Sequence, residues 1–328
     1  MPKMHKPSLP LKPITVPSAR DAALGFYYQG LFALVVLFDA LDGESVAIET
    51  GDDVALVGAN PKLFQLKHSM GNPAPLSVHS DGIWKAIKVW SSYSNSDKHF
   101  VFITPAELVG GDPLTTRVPQ ESGMSEDPNL LRKHFALDES SINLLVVALE
   151  VEAQRVYDQR KKDQEKNTKL SFATRAPGCS AYLRLTSELR KDLVRRMLIL
   201  PRSFNAKAVP SIIDSRLRTM ITPSLRPMII ERLIERWDRR IALGLMGQRS
   251  RLIEKSELQA MICELVQEHG SGHLPNDFGS LDPESVDGEL GTYMEKQIQL
   301  VDGQQRVWIS SCAAELGMRI GRDGDMLA

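Results

Sequence analysis

The chain has 328 residues, 42% apolar and 25% charged, with a formal net charge of −1. That composition reads as an ordinary soluble protein, long enough for two domains. Cys179, Cys263 and Cys312 lie far apart with no Cys-x-x-Cys pair, which argues against a disulfide framework or a structural zinc.

Residues 1–19 are expected to form a flexible arm: Pro2, Pro7, Pro10, Pro13 and Pro17 alternate with lysines and leave no apolar stretch. This is not a secretory signal, and a cytoplasmic protein is expected. Residues 18–41 read as one long helix, capped by Ser18 with Asp21 three residues on. Leu24, Tyr27, Tyr28, Leu31, Leu34, Val35 and Phe38 recur at helical spacing, so most of the helix should be buried. The apolar run Leu31–Phe38 ends at Asp39 and is too short to span a bilayer, so no membrane partner is expected. Gln29 is the one polar group in that surface. It is either a satisfied core amide or an active-site amide that orients Lys67 or a metal-bound water.

Residues 46–67 carry two short apolar strands in which Val54, Leu56, Leu63 and Leu66 suit a core. Glu49, Asp53, Gln65 and Lys67 do not, because charges there cost free energy unless paired or ligated. Alternate residues of a strand share a face, so Gln65 and Lys67 project together, about 7 Å apart. A hairpin-like return brings Asp53 to that pair. An acidic residue followed by an acid or amide, a spacer and a lysine is the constellation of the PD-(D/E)XK nucleases. Phosphodiester cleavage there needs a divalent ion on hard oxygen ligands. Asp53 would be its main ligand, with the Gln65 amide oxygen and the Leu66 carbonyl beside it. Gln65 stands where glutamate is commoner, and Glu49 or Asp52 could supply the missing charge. Lys67 would orient the attacking water and offset charge on the phosphorane. Against this, Asp-Asp after Gly is also ordinary turn chemistry, and Gln-x-Lys is a short, common pattern.

The order Gly25-Phe26-Tyr27-Tyr28-Gln29, Glu49, Asp52-Asp53, Gln65-Leu66-Lys67-His68-Ser69, then Trp84-Lys85 and Trp90 resembles the nuclease domain of bacterial anti-phage effectors. That domain is a branch of the PD-(D/E)XK superfamily found in CBASS effector endonucleases and in the nuclease subunit of Lamassu systems. The resemblance covers residues 20–105. It implies Asp53, Gln65 and Lys67 as the catalytic set, with Glu49 and Gln29 in support. It also implies Mg²⁺, with Mn²⁺ as a substitute, and double-stranded DNA as substrate. The Lamassu arrangement adds an SMC-like ATPase and a small third component as partners, and a homo-oligomer when active. No nucleotide-sensing domain is apparent downstream, which disfavours the CBASS arrangement.

Further along, Asp81–Tyr93 should be a helix with Trp84, Ile87 and Trp90 on its apolar face, and Phe100–Thr104 a buried strand. The order helix–strand–strand–strand–helix–strand suits a restriction-endonuclease-like α/β (α+β) core. Residues 105–128 read as loop. A helical arm should run over 139–165 and a further helix over Leu183–Ile199. Pro201 and Pro210 suggest a boundary near residue 205, which gives a nuclease domain over 20–205 and a mainly helical docking or assembly domain over 206–328. There, helices are expected from Pro227 to Leu245 and from Ser256, as N-cap, to Glu268. No Walker motif occurs, so ATPase activity would belong to a partner.

Charge is segregated: residues 1–183 sum to about −2, residues 184–251 to about +10 and residues 252–328 to about −9. The basic block fits phosphate binding, or equally pairing with acids on neighbouring helices. Two further readings compete with the nuclease: a catalytically inactive nuclease fold used as a DNA-binding or scaffolding subunit, and a helix-turn-helix regulator on 184–251.

Overall fold

The computed structural model describes residues 19–49, 51, 53–68, 73–119, 138–270, 319–320 and 326–327. The Ser18 cap, Asp52, the rest of the 105–128 loop and most of the acidic tail lie outside these residues. The described chain is a mixed α/β fold on a six-stranded mixed sheet.

Helix α1 (Ala19–Asp39) precedes strands β1 (Ser45–Ile48), β2 (Val54–Val57) and β3 (Lys62–Leu66). These three form an antiparallel meander, with Val54 opposite both Ile48 and Phe64. Helix α2 (Asp81–Trp90) then returns the chain to β4 (His99–Ile103), parallel to β3 with Leu66 opposite Ile103. Parallel pairing requires such a crossover. Phe100–Ile103 are buried on both faces, as an unbroken apolar run in a covered sheet should be.

The 27-residue helix α3 (Glu139–Glu165) follows, begun by Asp138, whose carboxylate accepts from the Ser141 amide. The single helix expected over Leu183–Ile199 is replaced by three elements: α4 (Ala176–Arg184), α5 (Ser187–Arg195) and β5 (Met197–Leu200). Leu185 leaves α4 in an extended conformation, and Thr186 caps α5 through the Leu189 amide at 3.3 Å. Met197-Leu-Ile-Leu then pairs parallel to β4. Four apolar residues are too few for periodicity to separate strand from helix end.

After residue 205 come α6 (Val209–Leu217), α7 (Arg226–Leu245), β6 (Leu252–Glu254) and α8 (Lys255–Gly270). Strand β6 adds to the free edge of β1, giving the order β5-β4-β3-β2-β1-β6. Helix α8 starts at Lys255 directly from this strand. Ser256 therefore does not cap it, and its hydroxyl contacts Glu254 instead. Residues 319–320 and 326–327 pair as a separate two-stranded ribbon.

Two apolar cores flank the sheet. On one face α1, α6, α7 and α8 pack over Val46, Val54, Phe64 and Val101. On the other, α2 to α5 pack over Ala55, Leu63, Phe100 and Ile199. Helix α1 is apolar nearly all round because it is buried between the sheet and α6–α8. Two polar contacts tie it to later segments: Trp237 of α7 donates to the Gly30 carbonyl at 2.7 Å, and the Tyr28 hydroxyl donates to the Phe204 carbonyl at 2.8 Å. The chain beyond residue 205 thus shares a core with α1 and the sheet. Among the described residues no helix is long and apolar enough to cross a membrane.

Candidate active site

Strands β3, β4 and β5 run parallel, so their carboxyl ends lie together at one end of the sheet. That is where open α/β sheets place ligands, because the chain leaves the strands there in loops. The antiparallel β2 begins at the same end, and Asp53 is the residue before it.

The Asp53 carboxylate accepts from the Leu66 amide at 2.7 Å and from the Gln65 side-chain amide. The Gln29 amide reaches the same carboxylate from α1. Burial pushes the Asp53 carboxyl above its ordinary 3.8; the Leu66 amide, the Lys67 charge and the Gln65 and Gln29 amides only partly offset this.

Lys67 follows β3, and its backbone amide continues the ladder to Ile103 at 2.8 Å. Its ammonium stands 5.9 Å from the centre of the Phe102 ring. Its stem lies against Gly82 in the first turn of α2. A Cβ there would stand 3.3 Å from Lys67 Cε and 3.4 Å from Phe102, so glycine keeps this slot open.

The structure therefore brings Asp53, Gln65, Lys67 and Gln29 together. It does not bring the Glu49 carboxylate to them. Glu49 sits past the end of β1 with φ 55°, exposed, and is held by its backbone. Its amide donates to the Asp53 carbonyl at 3.2 Å, and its carbonyl accepts from Arg251 at 3.2 Å.

Among the described residues no three Asp, Glu, His or Cys side chains gather as a metal-binding group. The oxygens present still fit a hard divalent ion that keeps several waters. Asp53 supplies one carboxylate. Gln29 Oε1 is buried without a partner, an acceptor left for a bound cation or water. In a strand the N–H and C=O of one residue point the same way, so the Leu66 carbonyl opens to the side where its amide meets Asp53. Gln65 now turns its nitrogen to Asp53, and rotation of its amide would present the oxygen.

Both roles expected of the basic block can be weighed against the contacts. Arg190, Arg195, Arg216, Arg226, Arg236 and Arg240 form ion pairs with Glu150, Glu139, Asp39, Asp214, Glu264 and Glu257 on other elements. Pairing between helices thus occupies much of the block. Arg184, Lys207 and Arg239 are exposed and make no ion pair among the described residues. Sequence reasoning missed the group around Glu152, which joins α3, α4 and the loop before α2 beside the Lys67 slot. Its members outside α3 lie 23 residues (Arg175) and 73 residues (His79) from Glu152 in the chain, and no local signal marks them.

No protein-family model matches the chain, and no curated protein matches it. Among solved structures it is similar to the Cap4 SAVED/CARF-domain containing receptor of Moraxella osloensis, at 15% identity and TM-score 0.40, over 77% of this chain and 50% of that one. It is similar also to the Acinetobacter baumannii Cap4 receptor with the cyclic trinucleotide 2'3'3'-cAAA, at 14% identity and TM-score 0.42, over 76% of this chain and 46% of that one. The chain spans about half the length of these structures. At that level the likeness identifies neither the fold nor the activity of this chain.

Proposed function

We propose that the chain is a metal-dependent DNA endonuclease, the effector of a bacterial anti-phage or anti-plasmid defence complex. The observation that carries this reading is the convergence of Asp53, Gln65, Lys67 and Gln29 at the carboxyl ends of the parallel strands. A core has no use for a half-buried carboxylate facing a lysine, with an unpartnered amide oxygen alongside. A Mg²⁺ or Mn²⁺ ion held there would act as a Lewis acid and acidify a bound water. Asp53, the Gln65 and Leu66 oxygens and Gln29 would hold and orient it. Lys67, steadied by Gly82 and Phe102, aligns the attacking water and offsets the charge that builds on the phosphorus oxygens.

One such site cuts one strand, so a double-strand break needs two copies or two visits, which favours a homo-oligomer in the active state. An SMC-like ATPase and a small third subunit are the partners this reading adds, since the chain carries no Walker motif. They would hold the nuclease inactive until foreign DNA is sensed. Nicking of supercoiled plasmid with and without Mg²⁺, by the wild type and by Asp53→Asn, tests it. Metal-dependent nicking lost in Asp53→Asn is expected. DNA binding with no nicking under any divalent metal would favour a scaffolding subunit instead.

A further inference from the structure

Glu152 on α3 has a side chain only 1% exposed, yet four nitrogens meet it. Arg155 donates through Nε and Nη2 at 2.7 and 2.8 Å, Arg175 donates through Nη1 at 2.7 Å, and His79 Nδ1 stands at 2.9 Å. Arg175 also donates to Asp81 at 2.8 Å, and both arginines lie over the Phe172 ring. Burial opposes ionisation of Glu152, but the bonds from Arg155 and Arg175 outweigh it and hold the carboxyl below its ordinary range. An ionised carboxylate only accepts, so His79 Nδ1 carries the hydrogen between them. The imidazole is fixed at one edge, while its side chain remains 62% exposed. A buried charge network of this kind adds little stability over apolar packing, so its use lies in what it positions.

We propose that His79 binds a backbone phosphate of the nucleic acid, on the strand that passes Lys67; this rests on the nuclease reading of the Lys67 site. His79 stands three residues before Gly82, which touches the Lys67 stem, and Arg175 is tied to Asp81 between them. With Nδ1–H given to Glu152, Nε2 offers a hydrogen to an anion only in the imidazolium form. His79, Arg155 and Arg175 then face Glu152 and Asp81, which leaves one positive charge, matched to a phosphodiester. Cys179 of α4 stays out of this balance: burial and the Glu152 charge push its thiol up to about 12.

The test is anisotropy of a labelled DNA duplex in metal-free buffer at pH 6, with salt varied, on wild type, His79→Ala and His79→Lys. Because no cleavage is needed, binding is read separately from nuclease activity. His79→Ala should weaken binding roughly three- to tenfold at pH 6 and lower the salt slope by about one. His79→Lys should restore binding. An unchanged affinity and slope in His79→Ala overturns the proposal, as does a loss that His79→Lys fails to rescue. A wild type that binds DNA through His79 but cuts nothing contradicts the nuclease reading and leaves this inference standing. A wild type that does not bind duplex DNA overturns it.

Discussion

Gly178→Ala is a single methyl group that should disturb both the fold and the site. Gly178, in the first turns of α4, is pressed against the backbone of α2. A Cβ at this position would stand 1.9 Å from the Trp84 carbonyl oxygen, 2.7 Å from its carbon and 3.1 Å from its Cα. The neighbour is backbone, so no rotamer change relieves the overlap, and α2 and α4 must separate by roughly 1.5 Å to reach ordinary contact. Overpacking costs about 1–3 kcal/mol, occasionally more, and the upper end applies where neither side can turn away. At 2–4 °C per kcal/mol, the melting temperature should fall by roughly 6 °C or more. Helix α2 also carries Gly82 against Lys67, so cleavage should drop about a hundredfold even where the protein stays folded. Gly25→Ala is the control: nothing lies within 4 Å of a Cβ there, and alanine favours a helix. Thermal melting and single-turnover cleavage of both variants provide the check. A Gly178→Ala protein that melts with the wild type would mean that α2 and α4 are not in backbone contact.

Asp53→Asn should lose cleavage while raising stability at neutral pH. The Asp53 carboxyl is raised in the folded state, so the fold pays for its charge above that folded value and is relieved as pH falls through it toward 3.8. The stability gain from Asp53→Asn, read by urea melts, should therefore shrink on acidification. A variant less stable than wild type at pH 7 would contradict a cost of burying the Asp53 charge. Truncation after Leu225 should unfold the protein, because it removes Trp237 from α1 and β6 from the edge of β1. Truncation after Gly270 should leave a cooperative melt, and a folded 1–225 fragment on circular dichroism would refute the shared core.

Much of this was legible in the sequence where the signal is local. Helix α1 shows in its apolar spacing, α3 in the helical arm expected over 139–165, and the return that faces β2 with β3 in the two apolar strands of residues 46–67. Asp53, Gln65 and Lys67 lie within 15 residues on or next to adjacent strands, so strand alternation and a hairpin-like return bring them together. Strands β5 and β6 were not legible. They are four and three residues long, and each is a strand only because of a partner about 100 or 200 residues away in the chain. The boundary expected near residue 205 followed a change from α/β to helical patterning. In space that change marks the return of the chain to cover the second face of the sheet. The Glu152 group escaped notice for the same reason: a glutamate in a polar helix looks solvated until His79 and Arg175 are folded against it.

Single-turnover cleavage of a DNA duplex in Mg²⁺ by Lys67→Ala, beside wild type and with DNA binding measured in parallel, tests the central claim most directly. Lys67 stands beside the Asp53 carboxylate, and the Gly82 slot holds its stem, where it can meet charge that develops only during reaction. Loss of such a contact typically costs several kcal/mol of barrier. The rate should therefore fall roughly a hundredfold or more while affinity changes little. A Lys67→Ala protein that cuts DNA at the wild-type rate would contradict the site.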